Sequence, residues 1–348
     1  MKKIQLLILF IILSSISNRL SAQQLPLYSQ YMFNPYMANS AICGTTEENQ
    51  LKLNYRDQFS GFGNGSYNMQ AFGIDPTPKT ISLSYYRGFH DRWSAGIYLF
   101  QDQILPIKNL GFQATIAYRF PLLNNLNMSL AISPTFNSLS FDNTIIQPNN
   151  PADELVDPTF VGDLEKSSNI DVNFGIYFFN DRFDFGFSVA NLAESEYIGI
   201  PSIEPSTNDD FTNDRIQHYL LHSSYNFQFD WASSWAMVPS FLIKSTKVTD
   251  PQVDLNLKLI YMDFFWIGSS WRTSDNAIVP MCGINAQFFF LGYSYDISTS
   301  PLASHYAGSH SITLGIYFNN KKDYRNVRKR NRFFENRSGP LYWYPDWL

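Results

Sequence analysis

The residues with the most evident chemical potential are two histidines beside two serines. His218 and His222 share one face of a strand-like segment, and Ser223 and Ser224 follow directly. A serine hydrolase needs a base in hydrogen-bonding reach of its serine and a third group that orients the base. No Gly-x-Ser-x-Gly nucleophile elbow accompanies these residues. We therefore favour a structural role for these residues, as polar side chains in a protein interior or at an interface, and we expect no enzymatic activity.

Acidic residues form the second candidate group, because carboxylate oxygens bind Ca²⁺. They fall in two long segments: Asp142, Asp153, Glu154, Asp157, Asp163 and Glu165, then Glu194, Glu196, Glu204, Asp209, Asp210 and Asp214. They lack the spaced ligand array of an EF-hand, so hydrated surface loops are the favoured interpretation. The five histidines are scattered, and no glycine-rich phosphate loop is present. We expect neither a metal nor a cofactor.

The N-terminus predicts export. Lys2 and Lys3 precede an apolar run from Ile4 to Ile16, and Ala22 offers a cleavage point before Gln23. This arrangement is typical of a secretory signal peptide, here residues 1–22. The alternative is an uncleaved anchor, but the run is short against the roughly 20 residues that a membrane span needs.

The composition of the full sequence predicts a membrane protein without membrane-spanning helices. Hydrophobic residues make up 45%, aromatic residues 17% and charged residues only 16%, against about 25% charged in soluble domains. After Ala22 no window of about 18 apolar residues appears. An exported chain with an apolar surface and no apolar helix can close a sheet into a barrel, which leaves no backbone group unpaired in lipid.

Apolar and polar residues alternate with period two along most of the chain, as in residues 51–56, 81–86, 253–261 and 312–318. We count about fourteen strands. They begin near residues 50, 79, 92, 108, 126, 169, 183, 216, 233, 252, 264, 277, 288 and 308. Tight turns such as 180–182 and 262–263 alternate with longer connections such as 141–168 and 193–215. This alternation favours a transmembrane antiparallel β-barrel over a soluble sandwich.

Two residue types bear on details of this barrel. Aromatic side chains near strand ends predict interfacial girdles; they are Trp93, Tyr118, Phe120, Trp235, Trp271 and Tyr293. Cys43 and Cys282 are the only cysteines, and they either form one disulfide or remain two buried thiols.

The C-terminal segment, residues 321–348, has an unusual composition. Eight Lys and Arg residues stand against three acidic ones, and the chain ends in an aromatic cluster. An even strand count places both termini in the periplasm, so a nucleic-acid partner is excluded. One hypothesis is a docking peptide, with Arg328, Lys329 and Arg330 steering and Trp343 and Trp347 anchoring. The alternative is a charged tail that keeps the chain end soluble.

Several segments of the sequence resemble those of a known family. Residues 28–35 resemble the opening signature of the PorP/SprF family, through Tyr28, Gln30, Tyr31, Phe33 and Asn34. Residues 55–59 resemble its Tyr-Arg-x-Gln-Trp motif through Tyr55, Arg56 and Gln58, with Phe59 in the Trp position. Residues 39–44 depart from the family's Asn-Pro-Ala-Tyr-Ala-Gly-like stretch. Residues 292–296 and 308–315 resemble its closing pair of strands.

The resemblance implies an outer-membrane component of type IX protein secretion or gliding in Bacteroidetes-type bacteria. Such a protein assists delivery or surface retention of cargo proteins and contacts periplasmic secretion components. The alternative is a porin-like channel for small solutes. The predicted organisation is a signal peptide (1–22), a periplasmic or lumenal segment (23–49), a barrel (50–320) and a tail (321–348). We further hypothesise that residues 23–49 plug the lumen, with Gln30, Asn34 and Arg56 hydrogen-bonded inside.

Overall fold

The structure is a computed structural model of one chain. The structure describes residues 31–46, 48–61, 77–89, 92–105, 107–123, 125–141, 166–195, 215–229, 234–247, 249–273, 276–286, 288–299 and 307–319. Within these ranges, no helix is long and apolar enough to cross a membrane. The predicted signal peptide and C-terminal tail, and most of the acidic residues considered above, lie outside them.

Fourteen strands form one antiparallel sheet that closes on itself. They are β1 (Glu48–Asp57), β2 (Lys79–Phe89), β3 (Trp93–Ile104), β4 (Ile107–Leu123), β5 (Leu126–Phe141), β6 (Lys166–Phe179), β7 (Phe183–Ala190), β8 (His218–Tyr225, continued by Phe227–Gln228), β9 (Trp235–Thr246), β10 (Gln252–Tyr261), β11 (Phe265–Arg272), β12 (Ala277–Asn285), β13 (Phe289–Ser298) and β14 (Ser309–Asn319). Closure is made by β1 and β14, which pair from Glu48↔Asn319 to Asp57↔His310. The predicted fold is confirmed, and every predicted strand start lies within three residues of the observed one.

Burial along each strand is inverted relative to a soluble protein. In β6, Ile170 is 70% exposed whereas the next residue, Asp171, is 1% exposed. The same contrast runs around the sheet: apolar side chains face outward, and serine, threonine, asparagine and charged side chains face the interior. A soluble sandwich would bury its apolar face instead. The outer surface therefore suits hydrocarbon, and the closed ladder satisfies the backbone there.

Proline residues interrupt the ladder without opening the barrel. Proline lacks an N–H group, so it cannot donate a hydrogen bond to one of its two neighbouring strands. Pro134 pairs with Val172 on β6, but the register with β4 skips it. Pro239 pairs with Leu257 on β10. On the other side of Pro239, strand β8 is interrupted between Tyr225 and Phe227. Each break lies on one side of the strand, so the other ladder holds the strand in place.

The two ends of the barrel differ. At the end that carries the start of β1, connections are tight: Asn180 Oδ1 accepts hydrogen bonds from the backbone N–H groups of Arg182 and Phe183, both at 2.8 Å. Met262 and Asp263 form a two-residue turn, both with positive φ (52° and 54°). The longest connections lie at the opposite end. Short turns are typical of the periplasmic end of an outer-membrane barrel and long loops of the external end.

Aromatic side chains cluster at the short-turn end. Trp93 packs against Tyr118 with ring centroids 4.7 Å apart, and Trp235 packs against Tyr261 at the same distance. Tyr118 also contacts Phe120. Amphipathic rings at this level suit the boundary between hydrocarbon and headgroups. These pairs form part of the interfacial girdle expected from the sequence.

The outward face of β5 offers a depth-dependent test of the membrane assignment. Ile132 is exposed midway along the strand, whereas Met128 lies on the same face near the periplasmic end. We expect Ile132→Arg to reduce the free energy of unfolding by about 2–4 kcal/mol, because it puts a cation in mid-bilayer hydrocarbon. The control Met128→Arg should cost about 1 kcal/mol or less. Equilibrium unfolding from lipid vesicles measures both; equal costs would contradict the placement of the bilayer.

Candidate functional site in the barrel lumen

Residues 31–46 lie inside the barrel, and we call this segment the plug. Every residue in it is buried except Met37, which is half-buried. Two short 3-10 helices, Pro35–Met37 and Ser40–Ile42, give it a compact shape. Proline suits the first position of such a turn, because its φ is fixed and no N–H group is left without an acceptor. Part of the backbone hydrogen bonding of the plug is therefore satisfied within the plug itself.

Asn39 and the preceding Ala38 anchor the plug to three consecutive strands. Its Oδ1 accepts a hydrogen bond from the N–H of Ala41 at 2.9 Å, which caps the second 3-10 helix. Its Nδ2 donates to the carbonyl oxygen of Ile176 on β6 at 2.9 Å and lies 3.2 Å from Nε2 of His222 on β8. The hydroxyl of Ser188 on β7 donates to the Ala38 carbonyl at 2.6 Å.

The opposite wall holds the plug through β2 and β4. Asn34 Nδ2 donates to Oγ of Ser84 at 2.8 Å, and the Tyr36 hydroxyl donates to Oγ1 of Thr115 at 2.7 Å. Tyr36 also packs against Tyr86, with centroids 5.3 Å apart. Contacts on both sides mean that the plug spans the lumen and does not lie along one wall.

Glycine makes room where the plug meets the wall. At Gly175 on β6, a Cβ atom would lie 2.3 Å from Oδ1 of Asn39 and 3.1 Å from the backbone nitrogen of Ala41. Backbone cannot move aside as a flexible side chain can, so a methyl group there would displace the plug. Gly175 thus fixes how closely the second 3-10 helix approaches the barrel wall.

The start of the plug packs in an aromatic cluster near the periplasmic end. Phe33 packs against both Trp266 and Phe290, with ring centroids 4.8 and 5.8 Å away. Two buried lysines flank the cluster: Lys52 Nζ donates to the Phe33 carbonyl at 2.6 Å, and Lys258 Nζ lies 4.5 Å from the Trp266 ring centroid. These contacts compensate part of the cost of burying two ammonium groups.

A charged cluster lies on the external side of the plug. Arg56 and Arg272 each donate from Nη2 to Oδ2 of Asp296, at 2.7 and 2.9 Å, and all three side chains are buried. They come from β1, β11 and β13 near the loop end. Lys244 and Asp254 form a second pair at 2.9 Å. These charges bind one another along one wall of the lumen, between neighbouring or next-nearest strands.

A cavity of about 60 Å³ lies between the plug and the wall formed by β3–β8. Its lining is mixed and includes Met37, Phe112, Asn173, Asn191, Arg215 and Leu220. This volume suits a few water molecules, since one needs roughly 10–15 Å³ on the same measure. The space is small for a permeating organic solute.

The histidine and serine group does not form a nucleophile–base pair. The Ser224 hydroxyl donates to the Asp184 carboxylate, and the Ser223 hydroxyl donates to the Asp184 carbonyl at 2.6 Å. His222 Nδ1 lies 3.8 Å from Asp184 Oδ1, beyond hydrogen-bonding distance. Ser–His catalysis requires a serine hydrogen-bonded to its base. These residues instead hold β7, β8 and the plug together.

The structure brings together only some of the predicted site residues. Tyr31, Phe33, Asn34 and Arg56 are all buried in the lumen, each with its own partners. The other predicted residues are placed as follows: Tyr55 faces outward, Gln58 follows the end of β1, and Tyr28, Gln30, Arg328, Lys329, Arg330, Trp343 and Trp347 lie outside the described residues. Sequence reasoning missed Asn39, Asp184, Arg272 and Asp296. Charge at an inward position of an alternating strand is the signal that would have found the last three.

The cysteines and acidic residues add no further site. Cys43 is buried in the plug and Cys282 is exposed on the outer face, and neither is in a disulfide. In the described ranges, no three His, Cys, Asp or Glu residues could hold a metal ion. Glu194 accepts a hydrogen bond from Lys247 at 2.7 Å, which lowers the pKa of Glu194.

Comparisons with known proteins yield one family and several distant barrels. The model of the family "Type IX secretion system membrane protein PorP/SprF" matches residues 20–316. No curated protein matches the chain. Similar solved structures include the Ralstonia pickettii toluene transporter TbuX (TM-score 0.48, 9% identity, 83% of this chain and 93% of that one) and a Pseudomonas aeruginosa FadL homologue (0.44, 11%, 78% and 90%). At this similarity they carry no inference about transport by this chain.

Removal of the central carboxylate tests the buried charge cluster. We expect Asp296→Asn to reduce the free energy of unfolding by about 3–5 kcal/mol, because Arg56 and Arg272 lose their shared buried counter-ion. As a control, Lys247→Ala breaks the exposed pair with Glu194 and should leave stability unchanged within error. Urea unfolding in vesicles measures both. Equal stability of Asp296→Asn and wild type would show that water, and not Asp296, compensates the two guanidinium groups.

Proposed function

Because this chain belongs to the PorP/SprF family of type IX secretion system membrane proteins, we propose that it is a sealed outer-membrane scaffold of that system. In this proposal it assists delivery or surface retention of cargo proteins at its external loops and contacts secretion components at its periplasmic end. We do not propose that cargo passes through the lumen of this barrel.

The plug is the observation that supports this proposal. Its side chains bind strands on both sides of the lumen, from Thr115 on β4 to Ile176 on β6 and Ser240 on β9. Inward-facing charges bind one another, Arg56 with Asp296 and Lys244 with Asp254. A passive solute channel, the alternative from the sequence, would need an open aqueous path.

The barrel separates two sets of binding surfaces. The long connections leave the sheet at the external end, where a cargo protein emerges. The first strand begins and the last strand ends at the short-turn end of the barrel, and we propose that residues 321–348, which follow the last strand, lie in the periplasm. The basic and aromatic composition of that segment suits an acidic partner with apolar pockets. We propose that this segment recruits the periplasmic component.

The secretion role is tested in cells. We expect deletion of the gene to remove one or a few large proteins from the cell surface, measured by comparing secreted and surface proteomes with wild type. A strain whose chain ends at Asn320 should lose the same proteins while the barrel remains in the membrane. An unchanged exterior with reduced uptake of small solutes would overturn the proposal in favour of the channel.

The sealed lumen makes a separate electrical prediction. We expect the full-length protein to show no stable open pore in planar bilayers. Gly175→Ala should produce intermittent or continuous conductance, because the added methyl group collides with Asn39 and the backbone of Ala41.

The matched control is Gly268→Ala on β11. A Cβ atom there would lie 3.0 Å from the Leu257 carbonyl oxygen on the neighbouring strand and contacts no plug residue. Its conductance should stay at the level of wild type. A wide, permanently open pore in the unmodified protein would refute the sealed scaffold.

A further inference from the structure

Three lysines lie in one row across the outer face of the barrel. They are Lys79 on β2, Lys108 on β4 and Lys166 on β6. Gln103 on β3 is paired in the register with both Lys79 and Lys108, and Ser140 on β5 is paired with both Lys108 and Lys166. Strands in a sheet lie about 4.8 Å apart, so successive lysines are about 10 Å apart. Each lysine is the first or second residue of its strand at the loop end.

The lysine row is on the lipid-facing side and not in the lumen. Side chains alternate along a strand, and the outward series on β2 continues from Lys79 to Ile81. On β4 it continues from Lys108 to Leu110, and on β6 from Lys166 through Ser168 to Ile170. The loop end is external, so the row lies at the level of the outer-leaflet headgroups.

An apolar groove lies directly below the lysine row. It has a volume of about 670 Å³ and opens on the outer surface of β1–β5. Its main lining residues are Leu53, Ile81, Leu99, Leu110, Phe112 and Phe136. Ser138 forms part of its floor, one outward position below Ser140 of the lysine row. The groove leads toward the centre of the bilayer along the strand direction.

We propose that the lysine row and this groove form a binding site for a phosphorylated glycolipid of the outer leaflet. The lysines bind the phosphate groups and the groove holds one acyl chain. The site requires an anionic headgroup and an apolar tail on the same molecule, because cations and groove are contiguous. A soluble phosphate would leave the groove unfilled, and a neutral lipid would supply no counter-charge to Lys108 and Lys166.

An outward-facing acidic residue lies beside only one lysine of the row, Lys79, among the described residues of β1–β6. Asp57 on β1 is paired with Lys79 in the register and accepts a hydrogen bond from Ser60 at 3.0 Å. Asp102 lies on β3 but faces the lumen, where its carboxylate accepts a hydrogen bond from Thr80 at 2.5 Å. Among the described residues of β2–β6, Lys108 and Lys166 have no outward-facing acid beside them at this end. These two lysines therefore carry most of the proposed recognition.

Binding of purified diphosphoryl lipid A to the full-length protein in nanodiscs tests this site. We expect the double variant Lys108→Gln with Lys166→Gln to bind about 10- to 30-fold more weakly, since each cation near a membrane surface contributes roughly a fivefold factor. The variant Ser138→Trp, which fills the groove, should also weaken binding. The affinity of the wild-type protein for dephosphorylated lipid A should be no higher than the affinity of the double variant for diphosphoryl lipid A.

The matched control removes two positive charges at the short-turn end of the barrel, at the level of the inner leaflet. Arg87 lies on the same outward face of β2 at the short-turn end, and Arg182 lies in the turn between β6 and β7. Arg87→Gln with Arg182→Gln removes the same charge and should keep the affinity of wild type. The proposal fails if this control loses as much affinity as the lysine variant, or if dephosphorylated and diphosphoryl lipid A bind equally well.

Discussion

A single constraint organises this molecule: in hydrocarbon, every backbone N–H and C=O group needs a partner within the protein. A sheet meets it only by closing, and here the register between β1 and β14 makes the closure. Closure then forces each strand to present one face to lipid and the other to an enclosed interior. The exposed Ile170 beside the buried Asp171 is the direct result.

Closure creates the second problem, which is how to satisfy a polar interior. Fourteen strands enclose more space than their own side chains fill. The plug provides the missing partners, and Asn39 shows how. Its amide accepts a hydrogen bond from the plug backbone and donates one to the barrel wall, so the same side chain shapes the plug and fixes its position. The lumen thus resembles a protein core held together by hydrogen bonds as well as by apolar contacts.

The inward and outward faces of the strands have different roles. The interior is committed to holding the plug and the Arg56–Asp296–Arg272 cluster, which leaves the outer surface and the two ends for partners. On the outer surface the lysine row stands out, because hydrocarbon otherwise excludes charge from that face. A cation is tolerated there only at headgroup depth, where an anionic lipid is its natural partner.

Residue types and their spacing were enough to predict the barrel, the number of its strands and the face to which most side chains point. Period-two alternation is a local property, and the membrane enforces it strictly enough that strand starts were placed within three residues. It also exposed the family resemblance in residues 28–35 and 55–59. Tertiary structure alone decided which inward residues meet. Arg56 and Asp296 are far apart in sequence, and their contact depends on the register of strands around a closed ring. The lysine row depends on that register too, because no pattern within one strand shows which residues of its neighbours lie at the same height.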